Sequence, residues 1–157
     1  MTNEEKVVAA LKAKGLHISF AESCTAGLAS GRLVDVPSAS AVLDAAFVTY
    51  ANAAKIRYAH VSAETLSRFG AVSEEVAGEM AAGCAAEAGA EVGVGISGIA
   101  GPGGGTAEKP VGTVCFGFFV EGKTDTCTCH FGEGKTRREI RLAAVAFLFE
   151  RLADLLC

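Results

Sequence analysis

Ser23 lies in Ala21-Glu22-Ser23-Cys24-Thr25-Ala26-Gly27, a polar cluster between an apolar stretch and a helical pattern. A serine there can project from the end of a sheet. The first amides of a following helix, near Cys24 and Thr25, would be unpaired and would point at any anion present. They could serve a tetrahedral oxyanion. A plain N-cap serine or threonine would give the same pattern. A serine hydroxyl is a poor nucleophile unless a base takes its proton. His17, His60 and His130 sit in no convincing context, and each reads better as a structural or surface residue. A lysine can be the base if burial or neighbouring cations lower its pKa. Lys55, in Tyr50-Ala51-Asn52-Ala53-Ala54-Lys55, is a possible partner, with Tyr50 to relay or orient the proton. Taken alone, Lys55 reads as a solvated helix lysine.

A second constellation is Ser97-Gly98-Ile99-Ala100-Gly101-Pro102-Gly103-Gly104-Gly105-Thr106, followed by Glu108-Lys109-Pro110. Successive amides in such a glycine loop can form an anion nest. Strand ends carrying such loops are ligand sites in open α/β sheets. The loop lacks the Gly-Lys-Ser/Thr ending of a P-loop and the spacing of the dinucleotide fingerprint. A flexible connection is the plain alternative. Arg137 and Arg141, four residues apart, share one face near the start of the last helical segment. Cations there oppose the helix dipole, so an anionic partner would explain them. Surface pairing with Glu133 or Glu139 would explain them too. Cys127-x-Cys129-His130 is a weak metal candidate, because alternate strand residues face opposite ways and no further cysteines stand at zinc spacing.

These residues need elements to carry them. Thr2-x-x-Glu5 matches a capping box, so a helix is expected from about residue 3 to 14, stopped by Gly15. Strands are expected at 17–21, 42–50 and 92–96, and a hairpin at 111–120 and 124–131 turning over Glu121-Gly122-Lys123. Helices are expected after Gly27 up to Pro37, from Asn52 to Arg57, from Ser62 to Phe69, from Ser73 onward, and from 136 to 156. The last has two apolar stripes, one through Ile140, Ala144, Leu148 and Leu152 and one through Leu142, Phe149 and Leu156. It is either a central core helix or a subunit interface, and a homo-oligomer is the expectation. Alternating helices and strands followed by a hairpin imply a single α/β domain over residues 1–157, with a mixed β-sheet and helices packed on its faces.

Composition narrows the function. A chain of 157 residues can bury about 70% of its unfolded surface without disulfide or metal. Its net charge of −4 weighs against a nucleic-acid partner, which asks for a basic stripe. No apolar run approaches the roughly 20 residues of a membrane span. The six cysteines fit reduced thiols in the cytoplasm, since the chain is too long and apolar to need a disulfide framework. The N-terminal segment shows no apolar signal region.

Five segments together make the sequence recognisable: Ala21 to Gly27, Tyr50 to Lys55, Gly70-Ala71-Val72-Ser73-Glu74-Glu75, Gly98 to Gly104, and Glu108-Lys109-Pro110-Val111-Gly112-Thr113-Val114. In this order the chain resembles the CinA C-terminal domain family, whose stand-alone members are nicotinamide mononucleotide (NMN) deamidases. The resemblance implies hydrolysis of NMN to nicotinate mononucleotide and ammonia, with no cofactor and no metal. It points to Ser23 as nucleophile, with Lys55 and Tyr50 assisting, and implicates Ser97 and Arg137. The substrate would then meet the Cys24 and Thr25 amides and the loop at Gly98, Gly101, Gly103 and Gly104. Glu22 would face the pyridinium, on charge complementarity alone. Two departures stand out: Ser97 where the family usually has threonine, and Ala26 where glycine is usual. The rival expectations are a non-catalytic nucleotide-phosphate binding module, an interaction domain, and an amidase for another small amide.

Overall fold

The computed structural model describes residues 1–157. In chain order the elements are α1 (Asn3–Lys14), β1 (Ile18–Glu22), α2 (Leu28–Val34), β2 (Phe47–Val48), α3 (Asn52–Ala59), α4 (Ala63–Phe69), α5 (Glu74–Ala88), β3 (Val92–Gly98), β4 (Thr113–Val120), β5 (Lys123–His130) and α6 (Arg137–Leu156). The sheet runs β2-β1-β3-β4-β5. β1 is parallel to both β2 and β3, and β4 and β5 complete it antiparallel. This is the mixed α/β sheet that the alternating pattern implies.

Local chemistry sets the boundaries. Both long terminal helices open with a capping box, Thr2 with Glu5 and Thr136 with Glu139. Ser62 and Ser73 cap α4 and α5 through their side chains. The hairpin turns over Glu121 and Gly122 at φ 46° and 89°, the left-handed pair that a two-residue turn needs to match strand twist.

Two helical layers bury the sheet. On one face α1, α2 and α6 press Val7, Leu11, Leu33 and Leu148 against Phe20, Val94 and Phe116. On the other, α3, α4 and α5 gather Ala59, Leu66, Val76 and Met80 around Ala21. α5 lies unusually close to the sheet: a methyl on Gly95 would overlap the Ala77 carbonyl. Gly83 brings α3 equally close to α5, since a methyl there would overlap the Ala59 carbonyl. Lys55 rides on α3, so this contact helps to set where it can reach.

The structure corrects one strand and the setting of two amides. The strand expected over 42–50 shrinks to Phe47–Val48 plus one bridge from Leu43 to Ile18. Ile18 pairs with Leu43 and Ala21 with Phe47, so four steps on one chain oppose three on the other. The surplus residue breaks the ladder as a bulge does, and the Ser19 hydroxyl fills the gap by donating to the Ala45 carbonyl at 2.8 Å. The helix expected after Gly27 runs over Leu28–Val34, so what is corrected is the placing of the Cys24 and Thr25 amides at its start. On α6 both stripes are largely buried within the chain, with Phe149 and Leu156 in the core and Leu142 left 42% exposed.

Candidate active site

Glu22 pairs with Ile96 of β3 and with Val48 of β2. One residue further, the Ser23 amide donates to the Ile96 carbonyl at 3.0 Å and the Thr49 amide to the Glu22 carbonyl at 2.8 Å. The register therefore sets Thr49, Ser23 and Ser97 in a row where the parallel strands end. Alternation puts Ser23 on the same face as Ala21, the face covered by α3 and α5. The sequence separates Ser23 from Lys55 by 32 residues, and the sheet brings them together.

Lys55 Nζ lies 3.0 Å from Ser23 Oγ, 2.9 Å from the Thr49 carbonyl and 3.1 Å from the Tyr50 carbonyl. The side chain is 1% exposed and Ser23 9% exposed. No carboxylate bonds the amine. Burial lowers its pKa from the usual 10.5, because charge is disfavoured away from water. A neutral amine has two N–H bonds and one lone pair. In that form the two carbonyls would take the N–H bonds, which would turn the lone pair toward the serine hydroxyl. Cys24, the adjacent thiol, is pushed up to about 11, mainly by burial, and stays protonated at neutral pH. Of the two adjacent groups, the Ser23 hydroxyl is the one in contact with the Lys55 amine, while the Cys24 thiol is held in its unreactive protonated form.

The amides of Cys24 and Thr25 donate to no acceptor in the chain. They are turn amides, not helix amides. The true N-terminus of α2 is already occupied. The Glu22 carboxylate accepts from the amides of Ala29 (2.8 Å) and Ser30 (3.0 Å), from Thr25 Oγ1 (2.7 Å) and from Ser30 Oγ (2.8 Å). At 1% exposure and with four donors, it has no capacity for a pyridinium. The expectation that Glu22 faces substrate is corrected: its charge is spent on the helix end.

Tyr50 and Arg137 are bonded to each other beside the Ser23–Lys55 pair. Arg137 donates from Nη2 to the Tyr50 hydroxyl at 3.0 Å and from Nη1 to the Gly101 carbonyl at 2.7 Å. The Tyr50 side chain is exposed and its hydroxyl bonds neither Lys55 nor Ser23. A relay through Tyr50 is not needed, because Lys55 touches Ser23 directly. In the glycine loop the amides of Gly101, Gly103 and Gly104 are free of partners in the chain. Gly98 ends β3 beside Ser97, and Lys109 ties the loop to the Phe69 carbonyl at 2.9 Å. Arg141, the other half of the arginine pair, reaches the Cys24 and Thr25 carbonyls at 2.8 and 3.2 Å. No group of three or more His, Cys, Asp or Glu is arranged to hold a metal ion, so the Cys127–Cys129–His130 segment forms no such cluster.

A concavity of about 1040 Å³ lies elsewhere, between α5 and β5. Its one hydroxyl–imidazole contact, Thr113 Oγ1 at 3.2 Å from His130 Nδ1, has that hydroxyl donating to the Pro110 carbonyl at 2.6 Å, and its Glu74 is engaged by Thr126 and Thr128 at 2.8 and 2.7 Å. Chemistry, not volume, identifies the site. Sequence reasoning did not assign Thr49, whose contribution is a backbone carbonyl and leaves no side-chain signature. It also missed the clasp of Glu22, Thr25 and Ser30, which only the Glu22-x-x-Thr25 spacing hints at.

The profile of the CinA C-terminal domain family matches residues 1–156. The chain belongs to that family. A nicotinamide-nucleotide amidohydrolase, PncC, from Enterobacter agglomerans is 50% identical over 143 residues, covering 90% of this chain and 86% of that protein. A CinA-like protein from Kosmotoga olearia is 48% identical over 96% of this chain, which spans 36% of its length. Among solved structures, the competence/damage inducible protein CihA from Agrobacterium tumefaciens superposes with a TM-score of 0.90 at 43% identity, over 98% of this chain and 94% of that one. This domain thus matches one relative over most of its length and another over about a third. No helix is long and apolar enough to cross a membrane.

Proposed function

We propose that this chain is an amidohydrolase that converts NMN to nicotinate mononucleotide and ammonia through Ser23, without a metal, in the cytoplasm. The observation that carries the reading is the buried 3.0 Å contact between Lys55 Nζ and Ser23 Oγ, with no carboxylate to hold the amine protonated. The substrate comes from the name of the PncC relative, which this chain matches along most of its length.

The Ser23 proton passes to neutral Lys55 as Oγ attacks the carboxamide carbon. The carbonyl oxygen becomes an oxyanion against the amides of Cys24 and Thr25. The C–N bond breaks as the nitrogen takes the proton from Lys55 and leaves as ammonia. Water then gives a proton to Lys55 and attacks the acyl carbon. Collapse returns that proton to Ser23 Oγ and releases the acid. Ser97, beside Ser23 in the row of hydroxyls, would hydrogen-bond the carboxamide. Arg137 and the free amides of Gly101, Gly103 and Gly104 would hold the ribose phosphate.

Ammonia release from NMN, measured with chelator present, tests the reading. Ser23→Ala and Lys55→Met should each lower turnover about a thousandfold or more, as losing a nucleophile or its base does in serine hydrolases. A Ser23→Ala chain within about tenfold of wild type, on the same scale of effects, removes the nucleophile. Wild-type turnover abolished by chelator removes metal independence.

A further inference from the structure

We infer that Arg141 is a positioning residue that locks the Cys24–Thr25 peptide, so that the Thr25 amide faces a developing oxyanion. This rests on the proposed role of Ser23. In a trans peptide the carbonyl and the following N–H point in opposite directions. Holding one therefore aims the other. The Cys24 carbonyl shares its plane with the Thr25 amide, and Arg141 Nε holds that carbonyl at 2.8 Å. The Ser23 carbonyl shares its plane with the Cys24 amide, and the Ala26 amide holds it at 3.2 Å. Both free amides thus have the opposite end of their peptide pinned.

The second guanidinium contact closes the turn. Nη2 donates to the Thr25 carbonyl at 3.2 Å, which also accepts from Leu28 at 3.0 Å, while Glu22 holds the Thr25 hydroxyl from the other side. The turn needs such a hold. Ala26 sits at φ 43°, a region that costs an L residue about 1 to 2 kcal/mol, so a flipped peptide that relaxes Ala26 competes with the one seen. Nothing else accounts for Arg141. It sits in the second turn of α6, where a cation gains nothing from the dipole, and it pairs with no carboxylate.

The test uses two readouts: NMN turnover, and the rate at which a fluorophosphonate labels Ser23, which needs no particular amide substrate. Arg141→Ala should lower kcat and the labelling rate about a hundredfold, the scale of one lost oxyanion donor, with KM within about threefold. Guanidinium ion at millimolar concentration should restore at least a tenth of each lost rate, which a simple packing defect would not allow. Arg141→Lys, whose single amine cannot span both carbonyls, should label about tenfold more slowly than wild type. It carries the test if Arg141→Ala does not fold. Labelling within about threefold of wild type in the variants that fold overturns the inference. So does a loss that guanidinium leaves unchanged in an Arg141→Ala chain that melts like wild type. If wild type labels at Ser23 but releases no ammonia from NMN, the substrate assignment fails, and the labelling ratios still decide the role of Arg141.

Discussion

Replacing Glu22 by glutamine separates a helix cap from a substrate contact. The carboxylate receives two donors on each oxygen: Thr25 Oγ1 and the Ala29 amide on one, the Ser30 amide and Ser30 Oγ on the other. Glutamine keeps one oxygen and turns the other into a donor. A hydroxyl can rotate to accept from the new NH2, but a backbone amide cannot. Either orientation therefore leaves one amide, Ala29 or Ser30, facing another donor in a buried site. An unsatisfied buried amide costs about 1 to 3 kcal/mol. Losing the negative charge at the helix start costs about 0.5 to 1 kcal/mol more. The removed cost of burying a charge offsets part of this, which leaves a net loss of about 2 kcal/mol. For a chain of this size that lowers Tm by about 4 to 8 °C. Thermal and urea unfolding of Glu22→Gln, run beside NMN kinetics, give the answer. A melting point unchanged within about 1 °C together with a raised KM would refute the capping assignment and return Glu22 to the substrate, since a mere contact residue leaves stability alone.

Two further outcomes follow from the same geometry. Because burial holds the Lys55 pKa below 10.5, kcat/KM should rise with pH through that lowered value and level off before 10.5. The folded state also binds fewer protons than the unfolded state between those two values, so wild-type stability rises with pH across that window. The advantage of Lys55→Met over wild type in urea melts should shrink from about pH 7 to about pH 10, and a gap that widens would contradict a neutral buried amine. Ala26→Gly should raise Tm by about 1 to 2 °C, because relief of the positive-φ strain exceeds the added unfolded-state entropy by about 0.5 kcal/mol. A lower Tm would mean the turn is not strained at Ala26.

The sequence by itself determined which elements form and which groups could react. Thr2 with Glu5, Ser62, Ser73 and Gly15 place helix ends to within a residue, because capping is a contact between near neighbours. Ser23, Lys55, Ser97 and Arg137 could be named as candidates because their side chains can react or bind an anion, but each also had a plain structural reading, and the family resemblance is what joined them. Tertiary structure decided what each group does with its hydrogen bonds. Glu22 looked available for a cation until the turn folded back and laid the amides of Ala29 and Ser30 across its carboxylate. Tyr50 looked like a proton relay until α6 carried Arg137 to its hydroxyl. Arg141 asked for an anion in sequence and found two carbonyls 116 and 117 residues away. Local patterns record contacts between residues a few positions apart. Charge state, orientation and partner choice depend on which distant segments the sheet and α6 bring to the same point, and no local pattern contains that information.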